Sequence, residues 1–97
     1  MNCVFHPDAE AEHLESVAYY ESKIPGLGAS YLAEFEKVLT FVCKYPVRYP
    51  TERIFNVRRV QLQQFPYTIH YRKSSDVIQV LAVAHHRRRP QYWLARL

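Results

Sequence analysis

Residues 25–45 read PGLGASYLAEFEKVLTFVCKY. Within this stretch Leu27, Tyr31, Phe35, Val38, Leu39 and Val42 recur at the spacing of one face of an α-helix. The helix should end near Tyr45, because Pro46 disfavours a helical conformation in the residue before it. Upstream, Pro25-Gly26-Leu27-Gly28 is a tight turn that ends an earlier helix. That helix is expected from Asp8, a good N-terminal cap, to about Ile24, with Glu10 and Glu12 at the positive end of its dipole. Its stripe of Leu14, Val17 and Ala18, followed by Glu21, is narrow. A short turn between two amphipathic helices predicts an antiparallel helical hairpin.

A hairpin with one apolar stripe per helix needs a second layer to cover it. The rest of the chain supplies strands. Asn2 to His6 is a short apolar run ended by Pro7, which suits an edge strand. From Arg53 the pattern changes, and residues 56–64 alternate loosely, with Val60 and Leu62 on one side. Phe65-Pro66 interrupts, after which Tyr67, Ile69 and Tyr71 alternate with Thr68, His70 and Arg72 as in a half-buried strand. Ser74-Ser75-Asp76 makes a turn. Val77 to Ala84 is almost continuously apolar, the pattern of a central strand covered on both faces. A last short helix is expected over about Pro90 to Leu97. The fold class is therefore α+β, in the order β-α-α-β-β-β-α. The helical hairpin lies on one face of a small, mainly antiparallel sheet, and a short C-terminal helix follows. The other sheet face, with its Arg and His side chains, is expected to be free for a partner.

Ninety-seven residues fit a single domain spanning 1–97. No apolar run approaches the roughly 20 residues that cross a bilayer, and Met1 to Asp8 lacks the regions of a signal peptide. The expected location is the cytoplasm, without a membrane partner. There, Cys3 and Cys43 are expected to be free buried thiols with no catalytic role. Charge is distributed unevenly. Residues 1–45 carry three lysines against seven carboxylates, and residues 46–97 carry ten cations, nine of them Arg, against Glu52 and Asp76. Guanidinium groups pair bidentately with carboxylate and phosphate, so the C-terminal half should meet an acidic polypeptide or a nucleic acid.

Several motifs in this order resemble the RelE/ParE superfamily of toxins, in its ParE-like branch. They are Tyr19-Tyr20, Pro25-Gly26-Leu27-Gly28, Leu32 with Glu34-Phe35, Pro46 and Tyr49-Pro50. Then come Val57-Arg58-Arg59, Phe65-Pro66-Tyr67, Ile69 with Tyr71-Arg72, and finally His85, Arg87, Arg88, Pro90, Trp93 and Arg96. The resemblance spans nearly the whole chain. It implies a bacterial type II toxin of the plasmid-stabilisation kind, neutralised by a cognate antitoxin whose acidic C-terminal segment wraps over it as it folds. A toxin–antitoxin hetero-oligomer is the implied assembly. ParE-like members inhibit DNA gyrase, whereas RelE-like members cut mRNA in the ribosome. A relic that binds antitoxin without toxicity is a further alternative.

The residues bear on that choice. Cleavage of RNA through its 2′-hydroxyl needs a base, an acid and a cation for the phosphate. His85, Arg87 and Arg72 are the candidates if the chain is a ribonuclease. Against that reading, residues 53–75 hold no Asp or Glu, and Trp93 stands where RelE-like nucleases often place a functional Tyr. Gyrase inhibition demands only a gripping surface, which makes a non-enzymatic inhibitor the favoured reading. Arg58, Arg72, Arg87, Arg88, Arg89, Tyr92, Trp93 and Arg96 supply the guanidinium and aromatic groups that dominate binding hot spots. Tyr19, Tyr20, Tyr45, Tyr49 and Arg59 are candidates for an antitoxin groove. No cofactor is implied. No metal site is expected, since His85 and His86 point to opposite faces of a strand.

Overall fold

The computed structural model describes residues 2–52 and 56–97; the start of the alternating region at Arg53 lies outside them. Strand β1 (Asn2–Phe5) leads into helix α1 (Pro7–Lys23) and helix α2 (Leu27–Lys44), then strands β2 (Arg58–Gln61), β3 (Tyr67–Ser74) and β4 (Val77–His85). The sheet order is β1-β4-β3-β2, with β1 parallel to β4 and the other pairs antiparallel. This is the expected α+β architecture. The C-terminal helix is shorter than expected: only a single 3₁₀ turn, Leu94–Arg96, forms there.

The capping of α1 also departs from expectation. Pro7 occupies its first turn, and the Nδ1 of His6, rather than the Asp8 carboxylate, accepts the N–H of Asp8. Leu14 is 61% exposed and Ala18 is also exposed. Val17 packs inward as expected, and the rest of the inward face of α1 runs through Ala9, Glu12, His13, Ser16 and Tyr20. Its polar members, masked in a search for apolar residues, rotate the true stripe away from the one read in the sequence. Helix α2 buries Tyr31, Phe35 and Val42 as its periodicity requires. The carboxylate of Glu21 accepts N–H groups from Gly26 and Gly28, and so satisfies donors at the start of α2.

Tyr31 and Phe35 meet Tyr67, Ile69, Val80 and Val83 in the main core, between the hairpin and one sheet face. The opposite face is not left free as expected. Trp93, 1% exposed, packs on Val57, Leu81 and Ala82, with Tyr92, Leu94 and Leu97 around it. The apolar residues Val80 to Val83 are thus covered by the helices on one side and the C-terminal segment on the other. A register shift beside His70 and Tyr71 leaves Leu81 unpaired and turns it toward Trp93. The cysteines differ as well. Cys3 and Cys43 form a disulfide joining β1 to the last turn of α2, because the parallel pairing of β1 with β4 brings them within bonding reach. Among the described residues, no helix is long and apolar enough to cross a membrane.

Gly28 sits where the two helices touch. A Cβ there would lie 2.7 Å from the Val17 carbonyl oxygen and 2.8 Å from Glu21 Cβ. Replacing Gly28 with Ala should therefore destabilise the chain by about 2 kcal/mol, read as a lower urea midpoint at unchanged slope.

Candidate functional site

The C-terminal segment is tied down by one carboxylate. Glu12, on α1, receives the Val83 N–H at 3.0 Å and the Tyr92 hydroxyl at 2.7 Å. Both terminal nitrogens of Arg96 donate to it at 2.9 Å. Arg96 also donates to the Leu81 carbonyl at 3.0 Å. These contacts close part of the β4 edge that β1, ending at Phe5, does not reach. The Glu12 and Arg96 side chains are only 13% and 12% exposed. Burial pushes the Glu12 carboxyl upward, but the hydrogen bonds from Arg96, Tyr92 and Val83 outweigh it, so its pKa falls below the ordinary 4.5. Arg96 is held protonated first by that hydrogen bond, and burial pushes the Tyr92 hydroxyl upward.

Between β4 and this anchored segment, residues 86–90 form an exposed basic turn. His86 donates its backbone N–H to Pro66, and Arg88 donates to His85. Arg88 lies over the Tyr92 ring, 3.9 Å from its centroid, and 4.0 Å from Glu12. Arg87 and Arg89 make no side-chain hydrogen bond or ion pair with the described residues. Beneath the turn is a cavity of about 370 Å³ whose lining includes Thr68, His70, Arg88, Arg89 and Trp93. His70 packs on Trp93, with ring centroids 5.1 Å apart. Its Nδ1 lies 3.2 Å from Glu52 Oε1 but makes no hydrogen bond with the described residues. Burial lowers the His70 pKa against the opposing pull of Glu52, which leaves the ring neutral near pH 7. Glu52 in turn lies 3.5 Å from Arg59.

A second concavity, about 620 Å³, runs between α2 and β2. Ala33, Lys37, Val38, Phe41, Tyr49 and Val60 are among its lining residues. Phe41 is 44% exposed and stacks on Tyr45.

Comparison with known families decides what this scaffold is. The model for the ParE toxin of the type II toxin–antitoxin system, parDE, matches residues 3–90. The chain belongs to the ParE toxin family. A chain in the solved structure of the chromosomal ParDE TA system from P. aeruginosa shares its fold, with a TM-score of 0.76 at 16% identity. The match covers 88% of this chain and 95% of that one. No curated protein matches this one.

On this ParE scaffold the sequence-predicted residues separate into groups. Of the target-binding candidates, Arg87, Arg88 and Arg89 share the exposed turn. Trp93 is sealed in the core, and Tyr92 and Arg96 are held by Glu12, so these three are structural groups here rather than free contacts. Arg58 donates to the carbonyls of Val47 and Tyr49, and Arg72 to the side chain of Gln79. The ribonuclease candidates do not converge. His85 pairs with Tyr67 at one end of the β3–β4 ladder, Arg72 with Gln79 toward the other, on the opposite face. Burial, then Arg87 and His86, lower the His85 pKa, and its Nδ1 accepts the Arg87 N–H.

The antitoxin candidates are likewise divided. Tyr20 joins Tyr31, Phe65 and Tyr67 in an aromatic cluster, with Tyr19 exposed beside it. Tyr45 lies fourteen residues beyond Tyr31 on α2, roughly 20 Å along its axis. One groove therefore does not hold all four tyrosines. Sequence reading missed Glu52, one residue outside the span searched for carboxylates, and Phe41, whose signal is a second apolar line with Val38 and Tyr45 along α2. Glu12 was legible only as an acidic residue near the start of α1 and not as a buried anchor, since its partners lie 71 to 84 residues away.

The lowered Glu12 pKa gives this ParE chain an acid sensitivity of defined sign. The stabilisation is complete above about pH 4.5 and is lost as pH falls through the lower folded-state value. Glu12→Ala should cost about 3 kcal/mol at pH 7, since it strands Arg96. Urea unfolding from pH 7 to pH 3 should show a shallower pH slope in this variant than in the parent.

Proposed function

We propose that this ParE-family chain inhibits DNA gyrase by binding it, and that a cognate antitoxin with an acidic C-terminal segment neutralises it. The observation that carries the reading is the family match through residue 90, which includes the basic turn. Arg87 and Arg89 present guanidinium groups with no partner among the described residues, at the edge of a rigid, Glu12-anchored segment. Such groups suit an acidic protein surface, and pre-anchoring lowers the entropic cost of engaging it. Antitoxin binding is supported by the concavity between α2 and β2. Val38, Phe41 and Tyr49 offer an apolar floor, and Lys37 a cation, for an amphipathic acidic segment that orders on docking. Tyr45 stands beside that floor through its stack on Phe41.

In a supercoiling assay, micromolar purified chain should inhibit gyrase, and the Arg87→Ala/Arg89→Ala double variant should do so at least ~10-fold less well while unfolding at the same urea midpoint. Normal supercoiling with the parent chain would remove the gyrase assignment. Harmless expression without antitoxin would favour an antitoxin-binding relic.

One observation favours a second reading, ribosome-dependent mRNA cleavage. The His70–Glu52 pair stands in the cavity lined by Arg88 and Arg89, and a carboxylate beside an imidazole is the kind of pair that general acid–base chemistry uses. That reading predicts transcript cleavage on induction and its loss in His70→Gln. Intact transcripts alongside growth arrest would exclude it.

A further inference from the structure

The Cys3–Cys43 bridge is a covalent cross-link between the edge strand β1 and the last turn of α2. Without it, β1 has modest support. It is four residues long, its residues alternate between exposed and half-buried, and within the sheet it pairs with β4 alone. Its inward anchor is Phe5, which stacks against Phe35 and tilts against His13. The rest of the fold is held by other means. The β2–β3–β4 meander has its own ladders, and Glu12 joins α1 to β4 and the C-terminal segment. The bridge is also reachable. Both cysteines are half-buried, and together with Asn2, Glu36, Leu39 and Thr40 they line an open surface hollow of about 470 Å³.

We propose that this bridge is a thiol-exchange site that latches β1, so that a low-molecular-weight thiol releases the N-terminal strand while the remaining sheet and hairpin stay folded. In the first step a thiolate attacks one bridge sulfur, the S–S bond breaks, and the other cysteine leaves as a thiolate and takes up a proton. A second thiol then attacks the mixed disulfide. The products are two protein thiols and one small-molecule disulfide, so two electrons pass from the two small thiols to the bridge. An oxidising compartment keeps β1 clamped, and a reducing one leaves it dependent on its pairing with Val77–Val80 and on Phe5.

The test uses the full chain, oxidised and after incubation with reduced glutathione, followed by alkylation, intact mass and amide hydrogen exchange. Alkylation of both cysteines should require glutathione. In the reduced chain the amides of Val4 and of His6, whose N–H donates to Val80, should exchange at least ~10-fold faster, while those of Ile69 and Tyr71 keep their rates. Cys3→Ser, without reductant, should reproduce the reduced pattern. Alkylation without reductant would overturn the proposal. So would unchanged β1 exchange after reduction, or protection lost equally in β3, which would make the bridge a staple of the whole fold.

Discussion

The carboxylate of Glu12 sits where three parts of the chain meet: the first turns of α1, the stretch of β4 beyond its pairing with β1, and residues 92–96. A largely buried carboxylate is costly unless its lone pairs are filled, and here four donors fill them. Because those donors come from β4, Tyr92 and Arg96, satisfying the charge also fixes the C-terminal segment across the sheet. Trp93 then covers Leu81 and Ala82, and the second face of β4 is closed.

This closure shapes what the molecule can offer a partner. The segment that carries Tyr92, Trp93 and Arg96 is spent on holding itself in place. The turn before it, anchored at both ends, keeps Arg87, Arg88 and Arg89 at the surface in a tight backbone path. The charge asymmetry of the two halves is therefore partly internal: Arg96 answers Glu12 and Arg59 lies beside Glu52, while Arg87, Arg88 and Arg89 stay exposed together on one turn. The family assignment rests on the ordered match along the chain, and this geometry separates the cations available for binding from those used as structure.

The helical side follows a different logic. Tyr31 and Phe35 drive α2 onto the sheet, and the close approach at Gly28 lets α1 pack beside it. The second line along α2, through Val38, Phe41 and Tyr45, is left partly uncovered by the edge strand β2. Val38 and Phe41 of that line belong to one wall of the concavity between α2 and β2. Val38 of that line still packs against the main core, while Phe41 and Tyr45 stay exposed.

Local patterning was enough to determine the fold class. The period of α2, the alternation of Tyr67 to Arg72 and the apolar run Val77–Ala84 specify helix or strand through neighbours a few residues apart, and the residues before Pro46 and after Asp76 mark the ends. The ordered motifs carried the family in the same way. Tertiary structure alone decided that Glu12 is buried, that Arg96 is its counterion, that Trp93 seals a sheet face, that Cys3 meets Cys43, and that His70 meets Glu52. Each of these brings together residues 11 to 84 positions apart, and a charge or thiol reads identically in a sequence whether its partner is water or a distant side chain. Only the packing that excludes water makes that distinction.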